Sequence, residues 1–207
     1  MLLQTLDNPL LLFSWVAALI ISISVHEFAH ALASDKLGDS TPRYQGRLTL
    51  NPLAHLDILG TIFILFASFG WGKPVQFNPW NLKNPKRDSA IISLAGPFSN
   101  LLTAGALSVL FRALPPPGNL FLVPIIVLNI NLSFFNLIPI APLDGFRVVG
   151  GLVPSSLSHQ WQSLERYGFL LLLFLIFPLF GRPILSLILS PLIRETLILM
   201  GMPLAFF

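Results

Sequence analysis

Cysteine is absent from the 207 residues, which excludes a disulfide framework and any thiolate metal site and leaves the redox compartment unread. Charge is nearly as scarce. Asp, Glu, Lys and Arg make up 10% of the chain, against about 25% in soluble domains. With 54% hydrophobic residues and a mean hydropathy of +0.78, that deficit excludes a soluble globular domain and predicts an integral membrane protein. The small basic excess, +3 at pH 7, lies in short loops between apolar runs. That is the distribution of topology signals and not of a nucleic-acid-binding surface, so no nucleic-acid partner is expected. Met1 to Gln4 lacks a positive n-region, so no cleavable signal peptide is expected either. Proline and glycine are plentiful, with 18 and 14 copies. In so apolar a chain they predict broken helices and irregular backbone at membrane depth, where protein or a cavity must cover it.

The most chemically loaded stretch is His26-Glu27-Phe28-Ala29-His30, an H-E-x-x-H pattern at the end of the run Leu10 to Val25, which carries no charged residue. Positions i and i+4 of a helix return to nearly one face, so His26 and His30 can offer both imidazoles to one zinc ion. Glu27 projects beside that face, where a carboxylate can act as general base. Ionisable groups are costly in or near hydrocarbon and mark function there. Catalytic zinc takes three protein ligands and keeps one position open, so one more must come from elsewhere.

Asn8-Pro9 reads as a helix start, and Asp35, Lys36 and Gly38 as its end near Ser34 or Leu37. Arg43 to Leu50 alternates polar and apolar residues, which predicts a short hairpin or edge strand. His55 and Asp57 follow in a polar loop, where a structural or substrate-edge role is favoured over ligation. Ile58 to Phe69 is apolar but would reach only about 18 Å as a helix, against a hydrocarbon core of about 30 Å. It is read as re-entrant. Ala90 to Phe111 and Leu120 to Ile138 are full spans, the first with small residues and Asn100 for helix contact. Asn136-Leu137-Ile138-Pro139-Ile140-Ala141-Pro142-Leu143-Asp144-Gly145 then breaks the second span twice. Asp144 is presented by that broken backbone, while the other acidic residues mostly flank helices and His159 lies in a polar loop. Asp144 is therefore the expected third ligand. Gln160 to Phe180 and Pro183 onward supply the last spans. The expected fold is all-α, with about five to six membrane segments, one re-entrant, and a small β-hairpin-like element. It forms one membrane-embedded domain over 1–207, with a core at about 10–150 and accessory helices at about 160–207.

With Ile58–Phe69 re-entrant, His26, His30 and Asp144 reach one depth. Most loop Lys and Arg then fall on the cytoplasmic side, with Arg112 and Arg182 outside. This places the N-terminus outside.

H-E-F-A-H in one span and N-L-I-P-I-A-P-L-D-G in another resemble the site-2 protease family of intramembrane zinc metalloproteases. Gly96-Pro97-x-x-Asn100 is similar to that family's glycine/asparagine motif, and Asn51-Pro52-x-x-His55-x-Asp57 to a loop of its compact bacterial and archaeal members. The resemblance covers roughly residues 10–150. It implies one zinc held by His26, His30 and Asp144, water activation by Glu27, and substrate contacts from Asn131 and Asn136. Asn100 completes the expected substrate-contacting set. It also implies a prokaryotic cell membrane as the setting and a single-span membrane protein as the substrate. No room for a PDZ domain exists between Phe111 and Leu120, as expected of a compact member. Two other classes remain open at this point: a zinc-binding membrane scaffold without catalysis, and a metal- or proton-linked transporter. An intact Glu27 disfavours the scaffold, and the lack of paired halves disfavours the transporter.

Overall fold

The computed structural model describes residues 9–57, 59–60, 72–178 and 181–203. Its helices, in chain order, are α1 (Pro9–Leu37), α2 (Thr41–Tyr44), α3 (Pro85–Ala113), α4 (Leu122–Asn136), α5 (Asp144–Leu152), α6 (Ser158–Ser163), α7 (Glu165–Ile176) and α8 (Ile184–Leu199). Among the described residues, three segments are long and apolar enough to cross a membrane: α1, α3, and α4 with the helical turn before it, Gly118–Asn136. They mark the chain as a membrane protein. α7 and α8, at 12 and 16 residues, are shorter. The Ile58–Phe69 segment lies almost wholly outside the described residues, and the structure says nothing of its crossing.

α1 and α3 pack against each other and both pack against α4. The packing is written in the sequence as two matching rows. The inward residues of α1 include Ser14, Ala18, Ser22, His26, His30 and Ser34, and those of α3 include Asp88, Ile92, Gly96, Asn100, Ala104 and Ser108. Each row repeats at every fourth position, the ridge that lets two helices interdigitate. Small and polar side chains face inward, while Leu10, Phe13, Phe98, Leu102 and Val109 are exposed. Inward-facing small residues are what helix packing in lipid selects, because no hydrophobic force separates helix from tail. α8 closes on α4 through Leu185, Leu189, Ile193 and Leu197, joining Ile125, Ile126 and Ile130 in the apolar core.

Several boundaries move from their sequence expectation for local reasons. α3 begins at Pro85 and not at Ala90, because proline suits the first helical turn and the Asp88 carboxylate accepts the Asn84 N–H at 2.9 Å. The span expected from Gln160 divides at Leu164 into α6 and α7. The hairpin expected over Arg43 to Leu50 is overturned: no strand occurs among the described residues, and this stretch opens with the helical turn of α2 followed by turns. Asp39 is the cause. Its Oδ1 accepts from the Thr41 N–H at 3.1 Å and the Thr41 hydroxyl at 2.5 Å, and Pro42 then favours helix at the first turn. The only extended pairing among the described residues is a single antiparallel bridge between Leu56 and Gly72.

Asp39 does more than start α2. Its carboxylate also accepts from Ser34 Oγ at 3.1 Å, the Asn78 N–H at 2.7 Å and Asn81 Nδ2 at 2.7 Å, so the end of α1 and the loop before α3 share one buried anchor. Burial alone would push this carboxyl up, but hydrogen bonds from Thr41, Asn81 and Asn78 outweigh it and hold the group below the ordinary carboxylate range. A group with a depressed folded pKa contributes stability above its unfolded value, about 3.9, and that contribution fades as pH falls through the folded value. Asp39→Asn replaces one acceptor by an NH2 facing donors. It should cost roughly 1–3 kcal/mol and lower the thermal midpoint at neutral pH, with the gap to wild type closing in acid.

Candidate metal centre

The H-E-x-x-H turn lies inside α1, so His26 and His30 stand one above the other on the buried row. Each ring commits its Nδ1 to α3. His30 Nδ1 lies 2.7 Å from the Ile92 carbonyl, which can only accept, so that nitrogen carries the proton. His26 Nδ1 lies 2.6 Å from Asn100 Oδ1. Asn100 Nδ2 faces the Ser22 carbonyl at 3.0 Å, which fixes the amide and makes His26 Nδ1 a donor as well. Both Nε2 atoms are then bare lone pairs, and they face each other at 3.0 Å.

The third member arrives from the other end of the chain. After α4 the backbone turns through Ile138 to Leu143, held by the Ile140 N–H on the Ile138 carbonyl at 2.8 Å and the Leu143 N–H on the Ile140 carbonyl at 2.9 Å. Gly145 packs so tightly on the Leu137 and Ile138 carbonyls that a Cβ would collide with them. This close approach brings Asp144 Oδ2 to 3.1 Å from His26 Nε2 and 3.3 Å from His30 Nε2. Residues more than 100 positions apart thus meet as the sequence reading expected.

Three acceptors converging with no proton donor between them repel unless a cation joins them. A tetrahedral zinc with bonds of about 2.0–2.1 Å sets its ligand atoms about 3.3–3.4 Å apart, close to the three separations here. His26, His30 and Asp144 are also the one such metal-capable group among the described residues. Gly96 keeps the space open: a Cβ there would press on His30 Nε2 and stand 2.7 Å from His26 Nε2. The residues present fit one zinc ion, two nitrogens and one carboxylate being a catalytic zinc set.

Glu27, half-buried on α1, accepts a hydrogen bond from the Val75 N–H at 2.8 Å. Val75 belongs to an extended strap, Gly72 to Asn78, that lies along α1. At one end the Lys73 N–H donates to the His55 carbonyl at 2.8 Å, and at the other the Asn78 N–H reaches Asp39. Arg147 of α5 sits over the Phe77 ring at 5.1 Å, so the strap also touches the element that carries Asp144.

The remaining sequence candidates are placed as follows. His55 is buried, with Nε2 donating to the Thr49 carbonyl at 2.8 Å, and Asp57 accepts the Gly60 N–H at 2.8 Å; both hold the loop. His159 is exposed on α6. Asn131 and Asn136 are half-buried and donate from Nδ2 to the carbonyls of Val127 and Leu132 in their own helix, at 2.8 and 2.9 Å. Asn100 is 0% exposed and spends its side chain on His26, Ser22 and Asn129. Gly96 entered the sequence reading only through the motif it resembles, and Ile92 and Val75 not at all, yet all three border the candidate site. The fourth-residue rows of α1 and α3 were the signal for the first two, since aligning them sets Gly96 opposite the histidines. The Val75 backbone contact leaves no mark in residue type.

Two histidines of one long apolar helix, met by a carboxylate from the broken segment after another to form one acceptor cluster beside a glutamate, define a membrane protein with the parts of a zinc metalloprotease. Relatives agree. The chain is 40% identical over 190 residues to "Putative zinc metalloprotease YwhC" of Bacillus subtilis, covering 86% of this chain and 85% of that protein. It is 32% identical over 176 residues to "Putative zinc metalloprotease Rip2" of Mycolicibacterium smegmatis, covering 78% of this chain and 65% of the relative. Against the Mycobacterium tuberculosis protein of the same name the identity is 30% over 175 residues, covering 77% and 66%. The chain thus spans about two thirds of the Rip2 proteins' length. No family model matches it, and no solved structure does. The chain belongs to the family of YwhC and Rip2.

Gly96→Ala should abolish zinc retention, because the added methyl occupies the space between both Nε2 atoms. Metal analysis of the purified variant checks this: wild-type zinc content would show that the cluster is not the metal site.

Proposed function

We propose that this protein is an intramembrane zinc metalloendopeptidase of the site-2 protease type. Its reaction is hydrolysis of a peptide bond within or next to a transmembrane helix of a single-span membrane protein. The observation that carries this reading is the His26–His30–Asp144 cluster, its histidines on one helix long and apolar enough to span a membrane and its carboxylate on the broken segment after another, with Glu27 beside it. The sequence motifs and the names of the relatives support the same class.

When bound, zinc polarises the scissile carbonyl and lowers the pKa of water to roughly 7. His26, His30 and Asp144 hold it, and the commitment of both Nδ1–H groups to α3 keeps the two imidazoles aimed inward. Glu27 takes the water proton on its carboxylate and passes it to the leaving amine nitrogen. The Val75 N–H, 2.8 Å from Glu27 Oε2, orients that carboxylate. Asn131 and Asn136, whose Nδ2 groups are used within α4, turn their Oδ1 atoms to substrate N–H groups exposed by local unwinding. The bias of Lys and Arg among the loops supports a site toward the cytoplasmic side, with the N-terminus outside.

Wild type and Glu27→Gln, purified and reconstituted with a single-span substrate, provide the test. Loss of a general base should slow cleavage by about 10²–10⁴-fold while zinc content stays at the wild-type level. Equal cleavage by the two proteins would end the protease reading. Asp144→Ala should lose both zinc and cleavage.

A further inference from the structure

Asn129 lies on α4 and is 0% exposed. Its side chain nevertheless closes a chain of hydrogen bonds that ends at the metal cluster. The chain starts at the Ile125 carbonyl, which can only accept. Asn129 Nδ2 lies 2.8 Å from it, so the amide nitrogen must face that way and Oδ1 must face the other. Asn129 Oδ1 then accepts from Asn100 Nδ2 at 2.8 Å. The second Asn100 Nδ2 proton goes to the Ser22 carbonyl at 3.0 Å. With both amide protons spent, Asn100 can present only Oδ1 to His26, at 2.6 Å, and only a protonated His26 Nδ1 satisfies it. The Nε2 lone pair is what remains, aimed at Asp144 Oδ2 at 3.1 Å.

Each link permits one orientation, because two backbone carbonyls on two different helices fix the donor–acceptor sense from both ends. We propose that Asn129 and Asn100 are positioning residues that set the His26 tautomer, so that α4 controls metal affinity from outside the ligand set. His30 needs no such relay, since the Ile92 carbonyl sets its tautomer directly. The two ligands of one motif are therefore held by different means. Without Asn129, one Asn100 proton is orphaned in an apolar core. The Ser22 carbonyl is then the one remaining partner that sets the sense of the amide, so Oδ1 is held less firmly toward His26 Nδ1.

The readout is metal affinity, so the inference stands or falls separately from peptide cleavage. Zinc affinity of the full-length protein in detergent is measured by competition with a chromophoric chelator, and the visible band of bound cobalt reports the ligand field. Removal of a hydrogen-bond partner of a zinc-bound histidine costs about 10–100-fold in affinity, which is the loss expected for Asn100→Leu. One link further out, Asn129→Leu should lose about threefold to tenfold and shift the cobalt band. Asn129→Asp keeps an acceptor for Asn100 Nδ2 and should recover most of the loss. Ser133→Ala removes a different α4–α3 bond, the hydroxyl donating to the Pro97 carbonyl at 2.8 Å, and should leave affinity unchanged. Should Asn129→Leu not fold, Asn129→Ala is compared with Asn129→Asp in the same way. Wild-type affinity in either leucine variant, no recovery in Asn129→Asp, or an equal loss in Ser133→Ala would overturn the relay.

Discussion

Two Nδ1 protons that α1 donates to α3 leave the acceptor cluster that could hold a metal. His26 and His30 each donate Nδ1–H to α3, one to a side-chain amide and one to a backbone carbonyl. Had either ring kept its proton on Nε2, the cluster would contain a donor and bind no cation. The rest of the bundle serves this arrangement. The fourth-residue rows of α1 and α3 bring Ile92 and Asn100 level with the two rings, and Gly96 between them contributes no side chain. Without a cation, two lone pairs at 3.0 Å and a carboxylate oxygen within 3.3 Å of each are an unfavourable grouping. A metal bound there would fasten Asp144 to α1 as well as equip the site, so that part of its binding free energy would be folding free energy.

The same economy explains the polar content of a mostly apolar interior. Asn100, Asn129 and Ser133 are buried between α3 and α4, yet each has named partners. A buried amide costs stability only when it is unpaired. On α1 and α3, large apolar residues such as Leu10, Phe13, Phe98, Leu102 and Val109 are left to the outer faces, where lipid solvates them as well as a core would. The broken backbone before Asp144 is tolerated on related terms: Gly168 of α7 lies so close to the Ala141 carbonyl that no side chain fits between, and Trp161 Nε1 donates to the Phe146 carbonyl at 3.0 Å. The short helices α6 and α7 thus cover a segment that could not stand alone in hydrocarbon.

Much of this was legible in the sequence because it depends on residue type and period. The α1 end at Leu37, the spans around Ala90–Phe111 and Leu120–Ile138, and the meeting of His26, His30 and Asp144 all follow from apolar runs, caps and a motif that carries its own geometry. What was hidden depends on partners that a linear reading cannot supply. Arg43 to Leu50 alternates like a strand, but Asp39 reaches Thr41, Asn78 and Asn81 at once, and that tertiary anchor overrides a local preference. Asn100 read as a polar contact of unspecified sense. Its orientation is fixed by carbonyls of Ser22 and, through Asn129, of Ile125, and backbone acceptors have no signature in composition.

The placement of Glu27 shows how far such anchors act. Its carboxylate takes its hydrogen bond from Val75, a residue of the strap and not of the helix bundle. Two fixed points determine where that N–H lies. Gly72 sits against Ile23 of α1, where even a Cβ would come within 3.0 Å of the isoleucine side chain, and Asn78 is tied to Asp39 just beyond the end of α1. Both anchors are referred to α1, which also carries Glu27, so helix and strap form one frame. The partner of the candidate base is therefore held by a carboxylate that lies outside the membrane span and takes no part in the metal cluster. Asp39, which the sequence presents as an ordinary loop charge, is linked to the candidate base by way of this frame.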